Sequence, residues 1–254
     1  MGPLFENIAV IILAAGLGTR MKSQKAKVLH LVLGQPMILY VVDTAVQVAG
    51  KDIILVVGHQ VEQVRKVVSE HALAEYAYQE RQLGTGHAVL CALPQVPAHS
   101  EHIVILCGDV PMITADTIRN LVEDHLDRER DITVLAVEID KPAGYGRVLI
   151  NVDNQVTGIV EEADATNEEK KIRMINTGIY CVEKTFLAES LQKIDTDNAQ
   201  GELYLTDIIA VGHREKKAVG ALLAGDEHEF YGINSKEDLE IVEGLMQRRR
   251  SGST

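Results

Sequence analysis

No run of about 20 apolar residues occurs in the 254-residue chain, so no segment is long enough to cross a bilayer as a helix. The apolar stretch 8–15 is too short for that role, and no basic segment precedes it, which excludes a secretory signal. Cysteine is scarce. Cys91, Cys107 and Cys181 are odd in number and widely spaced, which excludes a disulfide framework and a zinc site and fits reduced thiols in the cytoplasm. Positive charge is also short: 25 Lys and Arg face 37 Asp and Glu, a formal charge of −12. That excludes nucleic-acid binding through neutralised phosphates. None of the nine histidines has zincin spacing, and His99 with His102 lacks further ligands, so they read as surface or supporting groups. No Gly-x-Ser-x-Gly elbow supplies a serine nucleophile. Glu161 and Glu162, adjacent on a strand, would face opposite sides and make no glycosidase pair. There is no Pro/Gly/Ser-rich linker and no internal repeat. Without a hexapeptide repeat, this chain contains no parallel β-helix.

What is present is concentrated near the start. The apolar run Ile8 to Leu13 opens into Ala14-Ala15-Gly16-Leu17-Gly18-Thr19-Arg20-Met21. A buried strand that ends in a glycine-rich turn can turn its backbone N–H groups toward an anion. Arg20 lies in the turn and Lys27 follows, so a nucleotide triphosphate is the first candidate ligand. The turn is neither of two better-known phosphate loops. Met21 stands where a dinucleotide fingerprint needs its third glycine, and the second strand, Ile53 to Val57, ends in Gly58-His59 rather than an acid. Met21-Lys22-Ser23 lacks the glycine of a P-loop. An acidic protein that takes an anion must gather its cations locally, and Arg20, Lys22, Lys25 and Lys27 do so. A second group, Arg248 to Arg250, reads as a solvated, frayed helix end.

Ile8–Leu13, Ile53–Val57 and Ile103–Leu106 lack polar alternation, as parallel strands buried on both faces do. Helical spacing follows Pro36, spans Val61 to Glu70, and recurs from Thr114, a plausible N-cap, to His125. Strands alternating with helices imply a Rossmann-like, doubly wound, mostly parallel α/β sheet, whose ligands sit beyond the carboxyl ends of the strands. After about residue 131 the pattern changes. Strands are expected at Ile132–Val137, Gly146–Val152, Val156–Glu161 and Ile179–Val182, with Asp153-Asn154 as a hairpin turn. A helix is expected at Leu205–Lys216, a strand at Val219–Leu223 and a closing helix at Ser235–Arg249. The expected organisation is one domain over 1–234, with a nucleotide half to about 130 and a mixed-strand half from about 131 to 234. The closing helix and tail follow at 235–254.

Asp109, after the third buried strand and beside Gly108, reads either as a hard oxygen ligand for Mg²⁺ or as a turn former. A second glycine-rich turn, Gln79 to His87, contains Gly84, Thr85 and Gly86. Gln79 offers a donor and an acceptor suited to a nucleobase edge. Gly144-Tyr145-Gly146-Arg147, Glu161, Asn176-Thr177-Gly178 and Gly232-Ile233-Asn234 are either ordinary turns or sites suited to sugar hydroxyls.

Taken in order, LAAGLGTRM, KVLH, QLGTGHA, GDVP, GYGR, IVEEADAT, INTGIY and GELYLTDII make the chain resemble the pyrophosphorylase domain of the bacterial bifunctional N-acetylglucosamine-1-phosphate uridyltransferases. The resemblance covers nearly the whole chain. It implies a nucleotide-diphospho-sugar transferase fold and a reaction of UTP with N-acetylglucosamine 1-phosphate that gives UDP-N-acetylglucosamine and pyrophosphate. It implies that Leu13, Ala14, Ala15 and Gly16 contact the uridine, and that Gln79, Gly84 and Thr85 read the uracil. Arg20 and Lys27 would neutralise phosphates, Gly108 would line the substrate site, and Asp109 and Asn234 would hold Mg²⁺. Gly146, Glu161 and Asn176 would bind the sugar. Three departures stand out: Ala26 replaces a usual proline, Cys107 replaces a common aromatic residue, and the family's acetyltransferase β-helix is absent. Acetyl transfer is therefore not expected, and the oligomeric state stays open. Two other readings remain. One is a related transferase that uses glucose 1-phosphate or dTTP, and the other is a catalytically silent nucleotide-sensing subunit.

Overall fold

The computed structural model describes residues 4–58 and 60–252, so His59 lies outside the described residues. The chain opens with β1 (Ile8–Leu13), then a two-strand hairpin of β2 (Leu31–Val32) and β3 (Gln35–Pro36). Pro36 precedes α1 (Met37–Ala49), where its fixed φ suits a helix entry, and Gly50 ends that helix at positive φ. β4 (Ile53–Val57), α2 (Val61–Ser69), β5 (Glu75–Tyr78), α3 (Thr85–Ala92) and β6 (His102–Cys107) complete the alternating part. The Thr114 hydroxyl accepts from the Thr117 N–H and caps α4 (Ala115–Asp127) as the sequence implies. The rest comprises β7 (Ile132–Glu138), β8 (Arg147–Ile150), β9 (Val156–Val160), β10 (Met174–Glu183), α5 (Lys184–Ser190), α6 (Asp207–Arg214), β11 (Val219–Leu223) and α7 (Lys236–Arg250).

The main sheet runs β11-β7-β10-β6-β1-β4-β5, with β8 on β10 and β9 on β8. β1 pairs in parallel with β4 and β6, in a register that sets Leu13 opposite both Val56 and Cys107. Three strands thus end level, and the loops after Leu13, Val57 and Cys107 leave the sheet side by side. Side chains along β1 alternate between two cores. Ile8, Val10 and Ile12 face α1, α2 and α4, while Ala9 and Ile11 face α3, α5 and α6.

Several expectations are corrected. β10 extends well before Ile179, because pairing with β7 carries the polar segment Asn176-Thr177-Gly178 across an irregularity in register. The helix expected at 205–216 begins only at Asp207. α5 was not foreseen. Its N-terminus is satisfied by Glu183, whose carboxylate accepts from the N–H groups of Thr185 and Phe186. The arginine end of α7 is not frayed: Arg249 donates to the Met112 carbonyl and lies against Glu229. His125 is no surface group. It is fully buried, with His102 Nδ1 at 3.0 Å and the Thr133 hydroxyl at 3.0 Å. Among the described residues no helix is long and apolar enough to cross a membrane.

Candidate active site

A cavity of about 450 Å³ opens where β1 and β6 end. Its floor is the turn that follows Leu13. Among the described residues, no acceptor faces the six backbone N–H groups from Ala15 to Arg20. Ala14 N–H, by contrast, is tied to the Val56 carbonyl, which anchors the turn to the sheet. Gly18 sits at φ 61°, and a Cβ there would lie 2.6 Å from Cβ of Lys27. Only glycine both turns left-handed here and lets the lysine stem pass.

The cations meet acceptors drawn from far along the chain. Lys27 Nζ donates to the Asp109 carboxylate and, at 2.9 Å, to Asn234 Oδ1. Arg20 donates to the same Asn234 oxygen at 2.8 Å. Asn234 is held by its own N–H, which donates to Asp238, the residue that also closes the capping box of α7. Asp109 projects from the loop after β6, and its carbonyl accepts from Ile233 N–H.

The opposite wall is the second glycine turn. Gln79 is 3% exposed and donates its amide to the Gly84 carbonyl. Gly84 has φ 110°, and a Cβ there would meet the Leu203 carbonyl at 2.4 Å. Leu203 N–H donates to Leu83, Gly86 N–H donates to Leu203, and the Thr85 hydroxyl accepts from Leu205 N–H. The 203–205 segment is thereby stitched to the turn.

Leu13, Ala14, Ala15, Gly16, Arg20, Lys27, Gln79, Gly84, Thr85, Asp109 and Asn234 line this cavity, whereas Gly108, Gly146, Glu161 and Asn176 do not. Gly108 packs beneath it, its N–H on the Leu13 carbonyl. The other three form a neighbouring group. Asn176 N–H donates to the Gly146 carbonyl, and a Cβ on Gly146 would lie 3.2 Å from a Glu161 carboxylate oxygen. Glu161 accepts from the Thr206 hydroxyl, and burial pushes its carboxyl above the usual range. Glu162 turns away to pair with Arg147, so the two adjacent acids do diverge, though both lie past the end of β9. Two links join this group to the cavity. The Cys107 thiol lines the cavity and donates to Gly178, and Thr206 follows the Leu205 that is bonded to Thr85. Burial, reinforced by Asp109, pushes the Cys107 thiol up to about 12, so it stays neutral.

Residues 10–175 match the family of MobA-like NTP transferase domains. The chain belongs to that family. It is 44% identical over 244 residues to a protein named Bifunctional protein GlmU from Caldanaerobacter subterraneus subsp. tengcongensis, covering 96% of this chain and 52% of that one. It is 40% identical over 247 residues to the protein of the same name from Desulfotalea psychrophila, covering 97% and 73%. The chain thus spans about half the length of most of the curated relatives it matches. A crystal structure from Bacillus anthracis, described as a glucose-1-phosphate thymidylyltransferase with sucrose, superposes with a TM-score of 0.75 at 22% identity, covering 94% of both chains. It has the same fold.

Eight further residues line the NTP transferase cavity without having been expected as site residues: Leu17, Gly18, Thr19, Val28, Gln82, Ala88, Cys107 and Glu202. Gly18 carried a signal in the Gly-x-Gly spacing. Glu202 carried only its place in GELYLTDII, and it comes to the cavity through the pairing of 203 with 83 and 86.

Proposed function

We infer that this NTP transferase domain is a uridylyltransferase that joins UTP and N-acetylglucosamine 1-phosphate into UDP-N-acetylglucosamine and pyrophosphate. The observation that carries the reading is the row of unmatched N–H groups from Ala15 to Arg20 beside the Arg20, Lys27, Asp109 and Asn234 cluster. Such a nest with two cations suits a triphosphate. The 44% identity to the GlmU relatives supports the choice of uridine and of the N-acetylated sugar. In this reading Leu13 to Gly16 and Gly108 cradle the nucleotide, Gln79, Gly84 and Thr85 read the uracil, and Gly146, Glu161 and Asn176 hold the sugar. The nucleotide half covers about 1–130 and the sugar half about 131–234. Cys91, Cys107 and Cys181 are all free thiols, which supports a cytoplasmic setting.

The chain's residues fit a magnesium ion. Asp109 and Asn234 direct two hard oxygens at one positive charge, Lys27 Nζ, so a single cation can meet both. Among the described residues no cluster of three or more His, Cys, Asp or Glu makes a closed metal site. A partly hydrated ion completed by phosphate oxygens matches that donor set. When bound, the ion supplies charge that offsets repulsion between the phosphates of the two substrates.

No general base is needed, since the sugar phosphate is already ionised. One of its oxygens attacks the α-phosphorus of UTP, and the bond from that phosphorus to the β-phosphate oxygen breaks. The electron pair leaves with pyrophosphate. The backbone nest, Arg20 and Lys27 orient the triphosphate and stabilise charge on the departing group. The test is pyrophosphate release with Mg²⁺, comparing N-acetylglucosamine 1-phosphate with glucose 1-phosphate and UTP with dTTP. Release with UTP and the N-acetylated sugar is expected. Release only with another pair would change the substrate, and binding without release would leave a sensor.

A further inference from the structure

Gln79 Nε2 lies 3.0 Å from the Gly84 carbonyl oxygen and 3.0 Å from Nδ1 of His87. A carbonyl only accepts, so the amide atom facing it is the NH₂ and not the oxygen. The same NH₂ then reaches His87 as a donor. His87 Nδ1 must carry its lone pair, with the ring proton on Nε2. One turn further along α3, the Cys91 sulfur lies 3.9 Å from Nε2 and 4.0 Å from Nδ1, so the tautomer is set by the Gln79 amide and not by the thiol. Both amide hydrogens of Gln79 are thus spent on protein. Its Oε1 accepts from no described residue, and Gln79 lines the cavity.

We propose that His87 is a positioning residue that sets the hydrogen-bond polarity of Gln79, so that this amide offers the cavity an acceptor and no donor. The proposal rests on the uridylyltransferase reading and says how that site chooses its pyrimidine. A fixed acceptor pairs with the imide N3–H of uracil. Cytosine presents a bare lone pair at N3 and is repelled. Gly84 alone holds one amide hydrogen. Without the second acceptor the amide turns over more easily, and the NH₂ it then presents suits cytosine.

The test uses the full chain with His87→Leu, His87→Asn, His87→Gln and Gln79→Leu. It measures KM and kcat for UTP and for CTP at saturating N-acetylglucosamine 1-phosphate, with thermal unfolding of each variant. His87→Leu is expected to raise the UTP KM about tenfold, the size of one lost hydrogen bond, with kcat within about twofold. The preference for UTP over CTP falls about tenfold with it. His87→Asn, polar but too short to reach Gln79, gives the same loss and serves if the leucine variant does not fold. His87→Gln, whose longer side chain brings an acceptor, recovers most of the preference. Equal rises in both nucleotide KM values with an unchanged ratio, or no recovery in His87→Gln, would overturn the proposal. A separate failure is distinguishable: if the unaltered protein shows no preference for UTP over CTP, or Gln79→Leu keeps that preference, the uracil reading falls and the role of His87 with it.

Discussion

Lys27 donates its ammonium to the carboxylate of Asp109, a partner 82 residues away in sequence, at the level where β1 and β6 end. The pair is partly buried, and both groups also border Asn234 or its turn. Either residue alone would leave a charge facing the cavity without its neighbour.

Asp109→Ala is expected to lower the rate of pyrophosphate release by a factor on the order of 10²–10³, the usual loss when a charge-positioning group is removed. Steady-state assays over a range of Mg²⁺ concentrations check this. Activity near that of the unaltered protein would refute the assignment of Asp109 to the metal.

Ala26→Pro is expected to stabilise the protein. Ala26 has φ −52°, within reach of the proline ring, and its N–H has no acceptor among the described residues. A compatible proline adds about 0.4–1 kcal/mol by restricting the unfolded chain. Thermal unfolding should show a rise of a few degrees at most. The UTP KM should hold or fall, because Lys27 follows directly.

Glu161→Gln is expected to raise the KM for the sugar phosphate and leave that for UTP nearly unchanged. Burial raises the Glu161 carboxyl above its usual range, and the Thr206 hydroxyl pulls it down less strongly. A raised carboxyl is less costly to fold when protonated, so its contribution is fullest in acid and is lost as pH rises through the folded value. The glutamine variant should therefore be at least as stable as the parent at neutral pH, with the difference shrinking toward acid. Unfolding midpoints across pH 4–8 measure it.

The buried His125 imidazole should make the protein sensitive to mild acid. Burial, then the nearness of His102 and Arg130, pushes His125 down to about 4, against 6.5 for a free histidine. Below 6.5 the unfolded chain takes up a proton that the folded chain refuses. Stability is thus intact above that value and declines as pH falls toward 4, by roughly 1–3 kcal/mol. Loss of this decline in His125→Asn, followed by denaturant unfolding at several pH values, is the expected signature.

Much of the first half was legible because its signals are local. Three apolar runs without alternation gave the parallel strands, and two glycine turns lay directly after strands. Asp109 stood out for the same reason. Asn234 stood out only as part of a polar turn, and its metal role came through resemblance, since nothing in Gly232-Ile233-Asn234 reveals that Arg20 and Lys27 converge on its side-chain oxygen. The arginines of α7 are exposed, as their charge suggests, but the helix end is held, because Arg249 reaches Met112, 137 residues back. The full length of β10 was hidden because Asn176-Thr177-Gly178 lacks the apolar signature of a buried strand. Its place is fixed by neighbours distant in sequence.

That strand bears on how the domain is made and how it can be divided. β10 belongs to the second half of the chain yet lies between β6 and β7, antiparallel to both. During synthesis, β6 therefore waits with a bare, apolar edge until residues 174–183 have emerged. Such an edge invites pairing with other chains. A cut near residue 130 would make this transient state permanent. The segment before residue 130 is part of one continuous sheet and not a separable piece of it.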